Sequence, residues 1–196
     1  MLMSGQQYRE SLRRYTPKVY IDGRRVESVA DEPALQPGIN AIALTYDYAL
    51  REELAALMTA VQHTSGRTVN RLLHIDTGSD DLLNKLEAVR LVCQETGCAQ
   101  RYLGHDALNA LYQVAARIDQ ANGSTECMAR VLNYVHRVQD EDLTLGVAMT
   151  DAKGDRSLRP HRQANKNSYV HVVERNARGI VISGTKAIVT GAPYMH

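Results

Sequence analysis

The stretch "YVHVVERNARGIVISGTKAIVTG", residues 169–191, decides the fold class of this chain. Its β-branched runs are interrupted at Asn176–Gly179 and again at Ser183–Gly184, which predicts an antiparallel hairpin or meander. Up to about Leu143, by contrast, the pattern is helical. The sequence therefore predicts an α+β protein, in which a helical domain at 1–143 is followed by the start of an antiparallel β-domain at 144–196.

Five helices are predicted before residue 143. Apolar residues in the long segments recur at intervals of three and four, as they do on the buried face of a helix. Asp80 suits the first turn of one helix, and Gly97 is a typical residue to end it. The helices are predicted near residues 5–14, 38–62, 79–96, 105–122 and 125–140, with antiparallel strands from about residue 144. The stretch 68–75 is compatible with either a short strand or a helix.

The β-rich segment is short for a domain. It offers only about four strands before the chain reaches Tyr194-Met195-His196, so one edge of the sheet would remain unpaired. A sheet with a long unpaired edge promotes aggregation. We therefore expect that this chain is incomplete at its C-terminus, as a fragment of a longer polypeptide, or that a partner completes the sheet.

Charge and composition argue against several classes of protein. The chain has 23 basic and 22 acidic residues, so its net charge of +1 gives no reason to expect a nucleic-acid or membrane partner. No apolar run approaches the length of a membrane span, and the N-terminus lacks an apolar signal core, so we expect a cytoplasmic protein. Three cysteines are too few for a disulfide framework, and the seven histidines show no zinc-like spacing with them. The acidic run 140–142 is interpreted as a solvated face.

Five stretches together resemble a known family. The most specific is "MTDAKGDR", residues 149–156, within "DEDLTLGVAMTDAKGDRSLRP". The other four are "YRESLRRYTPKVYIDGRRVESV", "ALQPGINAIALTYDYA", "GCAQRYLGHDALNAL" and "GIVISGTKAIVTGA". In this order, they resemble the N-terminal part of the 4-hydroxyphenylacetate 3-hydroxylase / 4-hydroxybutyryl-CoA dehydratase family. Its members are flavoenzymes with the acyl-CoA-dehydrogenase architecture, in which a helical domain, a β-barrel and a C-terminal helical bundle follow one another.

The resemblance implies a site for FAD in the β-rich segment. The segment that matches 148–156 in the family runs from the first β-strand into a loop that holds the cofactor. Thr150 would offer a hydroxyl to the flavin edge, Lys153 and Arg156 would offer cations to the pyrophosphate, and Gly154 would allow close approach. The implied cofactor-binding residues are Ala148, Met149, Thr150, Lys153, Gly154, Asp155, Arg156 and Thr190. The competing interpretation is a basic turn without a cofactor, since the same residues favour turns.

The turn 98–102 bears on a second cofactor. In the dehydratase branch of the family, this turn reads C-x-Q-R-C, and both cysteines bind a [4Fe–4S] cluster. Here Cys98, Gln100 and Arg101 match, but Tyr102 replaces the second cysteine. Such a cluster takes four protein ligands, and one of the two cysteines of this turn is missing here. We therefore expect no iron–sulfur cluster, and we expect no other bound metal. Gln100, Arg101 and Tyr102 are instead the candidate catalytic residues, with the Tyr102 hydroxyl binding a substrate oxygen and the other two supporting it.

The implied function is that of an N-terminal segment of an FAD-dependent oxidoreductase. It would act on a small molecule, a phenol or a CoA thioester, by flavin redox chemistry or hydroxylation, and full-length members are expected to be homo-oligomers. The hydroxylase branch holds its phenol with an Arg-x3-Tyr pair. The corresponding positions in this chain are Leu103 and Ala107, so neither residue of the pair is retained. Two alternatives remain open, a dehydratase-like lyase and a non-catalytic truncated domain.

Overall fold

A computed structural model describes residues 1–98 and 101–196 of the chain. These residues form two compact units. The first contains Met1–Gly146 together with Gly191–His196, and the second contains Val147–Thr190. The last six residues, which the sequence analysis assigned to the β-rich segment, are thus part of the first unit.

The first unit is mainly helical in the part of the chain that the structure describes. Its α-helices are α1 Gly5–Leu12, α2 Gln36–Leu50, α3 Glu52–Met58, α4 Ser79–Thr96, α5 Tyr102–Asn122 and α6 Glu126–Asp140. Two small antiparallel sheets accompany them, one of β1 Tyr20–Ile21 with β2 Arg24–Arg25, the other of β3 Thr59–Val61 with β4 Thr68–Asn70. No helix within the described ranges is both long and apolar enough to cross a bilayer.

The single helix predicted over 38–62 is wrong. The backbone of Arg51 is extended, which separates α2 from α3, and Thr59 is extended again after Met58. The segment Thr59–Val61 then pairs with Thr68–Asn70, so that hydrogen bonds to a distant strand replace those of the helix. The stretch left undecided over 68–75 is this second strand, followed by one 3₁₀ turn at Arg71–Leu73.

Apolar side chains spaced by three and four residues form the buried clusters of the first unit. In α6, the buried residues Val131, Val135 and Val138 face Leu108 and Ala115 of α5. Burying each of the larger side chains contributes about 1.5–3 kcal/mol to folding. Similar clusters join α1 to α2 and α3 to α4. The helical periodicity in the sequence therefore identified the core-facing sides of these elements.

The second unit is a hairpin that follows a long irregular segment. Its strands are β5 His171–Asn176 and β6 Gly179–Ser183, paired antiparallel with an irregularity at Val172/Glu174. The expectation of strands from about residue 144 is wrong, since no strand lies between 144 and 170 in the described chain. There, Asp151 makes only an isolated bridge with Lys186, and side chains hold most of the loop. The mixture of helices and small antiparallel sheets is consistent with the α+β prediction.

Candidate functional site

The turn that precedes α5 follows directly on α4, and Gly97 is its first residue. Gly97 adopts a left-handed conformation, with φ at 70°, and its amide donates to the Cys93 carbonyl at 2.9 Å. Cys98 is exposed. Gln100, which the sequence analysis placed beside the substrate, lies outside the described residues. The predicted role of Gln100 therefore remains a prediction.

Arg101 is buried at the N-terminal end of α5, with only 2% of its surface exposed. Its Nη2 donates to Asp142 Oδ1 at 2.8 Å, and its Nη1 donates to Thr45 Oγ1 at 3.3 Å. The guanidinium carbon lies 3.9 Å from the centre of the Tyr46 ring, within the range of a cation–π contact. All these partners belong to the first unit, so Arg101 fixes the turn to α2 and to the chain beyond α6.

Asp142 is the acidic partner in this arrangement, and it is 1% exposed. Its Oδ2 accepts a hydrogen bond from the Met3 amide at 3.0 Å, and its carbonyl accepts one from the Tyr46 hydroxyl at 2.8 Å. The backbone of Asp142 is left-handed, with φ at 46°, a conformation that Asp tolerates better than most residues. The interpretation of the run 140–142 as a solvated face is therefore wrong for Asp142.

The buried groups around Arg101 have shifted pKa values. Burial on its own would lower the pKa of Arg101, but the nearby Tyr46 and Asp142 outweigh it and raise the pKa. Burial also raises the pKa of Tyr46 to about 12. At neutral pH, Arg101 is therefore cationic and the Tyr46 phenol is neutral.

Tyr102, the first residue of α5, differs from its neighbour. Its side chain is at the surface, and the residue is 37% exposed. Cys98, on the other side of the undescribed pair, is also exposed. The turn thus presents one thiol and one phenol at the surface, while its arginine is buried.

A group of potential metal ligands occurs near the start of α4, although spacing in the sequence did not indicate it. Ligand atoms of His74, Asp76 and Asp81 lie within 4.8 Å of one another. Asp81 Oδ2 already accepts hydrogen bonds from the Thr77 amide and hydroxyl, both at 2.8 Å, and the Arg71 guanidinium lies 3.8 Å from Oδ1. Burial lowers the pKa of His74. Since internal donors occupy the carboxylate, we interpret this group as part of the packing at the start of α4.

In the second unit, Thr150 begins a segment that is bonded to the chain after β6. Its hydroxyl donates to the Ala187 carbonyl, and the Ala187 amide donates to the Thr150 carbonyl at 2.9 Å. Asp151 Oδ1 accepts from the Val170 amide at 3.0 Å and pairs with Lys186 Nζ at 3.0 Å. The hydrogen bond from Val170 and the contact with Lys186 lower the pKa of Asp151. These contacts fix the start of the implied flavin loop.

The loop that follows is held by the buried side chain of Gln163. Its Oε1 accepts from the Asp155 amide at 2.9 Å, and its Nε2 donates to the Asp155 carbonyl at 2.7 Å. A Cβ at Gly154 would overlap the Gln163 carboxamide, so a larger residue there would displace this side chain from its hydrogen bonds with Asp155. The Asp155 carboxylate accepts from the Ser157 hydroxyl and amide, which lower its pKa. Gly154 and Asp155 therefore shape the loop.

The remaining implied cofactor residues are accessible. Lys153 and Arg156 are exposed, and neither forms an ion pair with any residue that the structure describes. The other members of the set are exposed as well, namely Ala148, Met149, Thr150, Gly154, Asp155 and Thr190. The second unit thus carries two cations without an ion-pair partner among the described residues on the loop that Gln163 holds, and a threonine anchored to Ala187 at the start of that loop.

The chain thus combines a helical unit with a hairpin unit that carries the implied flavin loop. The family described as 4-hydroxyphenylacetate 3-hydroxylase N terminal matches residues 4–196. The chain belongs to this family. Its relatives include both monooxygenases and a dehydratase.

Among curated relatives, the chain is 39% identical to the 4-hydroxybutyryl-CoA dehydratase/vinylacetyl-CoA-Δ-isomerase of Clostridium aminobutyricum, over 100% of this chain and 40% of the relative. It is 25% identical to the 4-hydroxyphenylacetate 3-monooxygenase oxygenase component of Geobacillus sp. strain PA-9, over 95% of this chain and 38% of the relative. The chain thus spans about two-fifths of the length of these relatives.

Solved structures of a dehydratase and of an oxygenase are also similar to this chain. An oxygen-tolerant archaeal 4-hydroxybutyryl-CoA dehydratase from N. maritimus is similar with a TM-score of 0.93 and 42% identity, over 100% of this chain and 39% of that chain. The oxygenase component of 4-hydroxyphenylacetate 3-monooxygenase, solved with FAD and 4-hydroxyphenylacetate, has a TM-score of 0.81 at 23% identity. It covers 98% of this chain and 39% of that chain, and at this identity it supports the fold alone.

Proposed function

We propose that this chain is the N-terminal part of an FAD-dependent oxidoreductase with the acyl-CoA-dehydrogenase architecture. Its chemistry is flavin redox or hydroxylation of a small molecule, a phenol or a CoA thioester. The observation that carries the proposal is the pair of exposed cations Lys153 and Arg156, which have no ion-pair partner in the described part of the chain and lie on a loop held by Gln163. Family membership over residues 4–196 supports the proposal, and an oxygenase that shares the fold has been solved with FAD.

The residues present fit a flavin dinucleotide. Lys153 and Arg156 would hold the pyrophosphate, because ammonium and guanidinium groups form strong charge-assisted hydrogen bonds with phosphate oxygens. The Thr150 hydroxyl donates its proton to Ala187, so its lone pairs remain available to accept a hydrogen bond from the cofactor. When bound, FAD would supply hydride and single-electron transfer, which protein side chains alone do not perform.

On the substrate side, the two described candidates have different roles. Tyr102 is exposed and offers a hydroxyl that can donate to, or accept from, a substrate oxygen. Arg101 is a positioning residue, because its guanidinium is bonded to Asp142 and packed on Tyr46. It would act on catalysis only by fixing the first turn of α5, which carries Tyr102. Gln100 remains a proposed supporting residue of the same turn.

A dehydratase-like lyase is the second candidate, and sequence identity favours it. The dehydratases are 39% and 42% identical to this chain, whereas the oxygenases named above are 25% and 23% identical. Against it stands the donor set of the turn, which has the Cys98 thiol but a phenol at Tyr102. Deprotonating a phenol with an ordinary pKa near 10 is costly, and its oxygen is a harder ligand for iron than a thiolate. These residues do not fit a cluster with cysteine ligands at both positions.

We therefore expect the full-length protein that contains this chain, after anaerobic reconstitution, to contain no [4Fe–4S] cluster. Iron and acid-labile sulfide analysis after reconstitution measures this. The Tyr102→Cys variant, treated in parallel, restores the second thiolate and is expected to retain more iron than the parent. Cys98→Ser in the Tyr102→Cys background is the matched control, and it should abolish that gain. Stoichiometric iron and sulfide with Tyr102 intact would contradict the prediction and favour the dehydratase.

FAD titration of the full-length protein that contains this chain tests the proposed function against a non-catalytic domain, since the 196 residues alone are expected to bind FAD poorly without the family's C-terminal bundle. Saturable quenching of flavin fluorescence is expected if the loop 150–156 belongs to a cofactor site. A protein that shows no saturable binding of FAD would favour the non-catalytic alternative.

A further inference from the structure

The side chain of His196 is hydrogen-bonded on both of its ring nitrogens within the first unit. Nδ1 accepts from the Thr144 amide at 2.8 Å, and the His196 backbone amide donates to the Thr144 carbonyl at 2.9 Å. Nε2 lies 2.6 Å from Ser11 Oγ, and the Ser11 hydroxyl donates to the Tyr8 carbonyl at 2.6 Å. His196 therefore ties the segment 191–196 to α1 and to the chain that follows α6.

These contacts determine the protonation state of the ring. A backbone amide can only donate, so Nδ1 is unprotonated and Nε2 carries the proton that is donated to Ser11. An imidazolium has a proton on both nitrogens and could not accept from the amide of Thr144, which is fully buried. The arrangement of His196, Thr144 and Ser11, called the clasp below, therefore requires a neutral imidazole.

Further contacts hold the same segment in place. The Tyr8 hydroxyl donates to the Tyr194 carbonyl at 2.8 Å, and both tyrosines are buried. The ring of Tyr8 meets the ring of His196 edge to face, with 5.6 Å between the ring centres. A Cβ at Gly146 would lie 3.0 Å from Met195 Cγ, so the chain after α6 packs closely on this segment. Residues 191–196 are thus fixed at several points of the first unit.

The clasp lies next to both connections between the two units along the chain. The chain enters the second unit after Gly146 and returns to the first unit at Gly191. Within the second unit, the same two segments pair again, because the Ala187 amide donates to the Thr150 carbonyl at 2.9 Å. Along the chain, three of the implied cofactor residues lie between the clasp and this second pairing, namely Ala148, Met149 and Thr190.

Charged and titratable groups from several elements face the imidazole. They belong to α1 and the residues after it, to the turn before α5 and to the chain after α6, and they are Tyr8, Arg14, Tyr15, Arg101, Glu141 and Asp142. Burial lowers the pKa of His196 to about 4, the Arg101 cation adds to this effect, and the Asp142 carboxylate opposes it. An unfolded histidine has a pKa of about 6.5, so the clasp stabilises the fold fully above that pH. This contribution decreases below it and is lost as His196 takes up a proton near pH 4.

We propose that His196 is a positioning residue for the flavin site. Its neutral imidazole holds together the two chain segments that lead to Ala148–Thr150 and to Thr190, and uptake of a proton by the ring releases them. A site that is fixed before binding loses less entropy when its ligand arrives, so the clasp favours binding of FAD. The role toward FAD rests on the proposed function, whereas the clasp rests on the contacts of His196 alone.

Two variants of the full-length protein that contains this chain test the proposal. His196→Leu leaves the Thr144 amide buried without an acceptor, so exchange of this amide with deuterium should accelerate by about 5- to 150-fold. The same variant is expected to bind FAD at least about fivefold more weakly than the parent. His196→Asn offers a side-chain oxygen that can accept from the amide and should retain most of the affinity.

The matched control is His136→Leu. It breaks the hydrogen bond of another partly buried histidine of the first unit, whose Nε2 lies 3.0 Å from Thr64 Oγ1. His136 belongs to α6 and is not part of the clasp. This variant is expected to leave both the FAD affinity and the exchange of the Thr144 amide unchanged.

A pH series distinguishes positioning by the neutral imidazole from a purely structural role. As the pH falls from about 6 to about 4, the FAD affinity of the parent should decrease relative to that of His196→Asn, because only the imidazole takes up a proton. A constant ratio of the two affinities would overturn the proposal, as would equal FAD affinity in the parent and in His196→Leu. A parent that binds no FAD would overturn the proposed function and with it the role of His196 toward FAD. Exchange of the Thr144 amide, measured without flavin, would still report on the clasp itself.

Discussion

Replacing Lys153 and Arg156 together by alanine is expected to weaken FAD binding by about 10²- to 10⁴-fold. Each lost charge-assisted contact with the pyrophosphate contributes about 1.5–3 kcal/mol, and tenfold in affinity corresponds to about 1.4 kcal/mol. Both side chains are exposed and have no ion-pair partner among the described residues, so their removal leaves no buried group unsatisfied. The fold of the second unit should therefore persist, and the loss should appear in affinity alone.

The matched control for this experiment is Arg175→Ala/Arg178→Ala. It removes two positive charges from the hairpin of the same unit, so it reports the long-range effect of net charge. FAD titration followed by flavin fluorescence, at two salt concentrations, measures both variants. An FAD affinity in Lys153→Ala/Arg156→Ala equal to that of the parent would remove these two residues from the cofactor site.

Replacing Arg101 by methionine is expected to lower the free energy of unfolding by about 3–5 kcal/mol, because it leaves the Asp142 carboxylate buried without its cation. Arg101 is 2% exposed and Asp142 is 1% exposed, and Arg101 Nη2 donates a hydrogen bond to Asp142 Oδ1 at 2.8 Å. Methionine keeps most of the apolar stem, so the effect isolates the charge and its hydrogen bonds. Urea denaturation of the parent and the variant measures the difference.

Two further variants make this prediction specific. Arg130→Met breaks an exposed ion pair with Glu126 and is expected to cost no more than about 1 kcal/mol, as surface pairs do. Arg101→Met/Asp142→Asn removes both buried charges, and Asn tolerates the left-handed backbone at residue 142, so this variant should recover part of the loss. Equal stabilities of Arg101→Met and Arg130→Met would contradict a stabilising role for the buried pair.

Local signals predicted the helices well where tertiary pairing does not compete with them. The helix predicted at 79–96 is confirmed as Ser79–Thr96, since Asp80 and Gly97 mark its two ends in the sequence. The prediction failed at Arg51 and at Thr59–Val61, where the apolar spacing continues but the chain leaves the helix. The strand Thr59–Val61 pairs with Thr68–Asn70, and the local spacing of apolar residues does not predict that pairing.

The candidate sites divide in a similar way. The motif at 149–156 identified the loop with the free cations, because its residues are contiguous. No contiguous motif contains Asp142 or Gln163 together with its partner, so the sequence did not indicate these two residues. Asp142, for example, binds Arg101, which lies 41 residues earlier in the chain. Residues 147–190 contain more basic than acidic residues, but the net charge of the whole chain conceals this excess. Counting charges by segment would have revealed it.

We propose that this chain belongs to an enzyme that binds FAD through the 150–156 loop. Equilibrium titration of the full-length protein that contains this chain with FAD, compared with FMN, tests this proposal most directly. FMN lacks the pyrophosphate linkage and the adenosine, so it cannot make the full set of contacts with Lys153 and Arg156. The proposal predicts saturable FAD binding that is at least about tenfold tighter than FMN binding. Absence of FAD binding, or equal affinity for the two flavins, would contradict it.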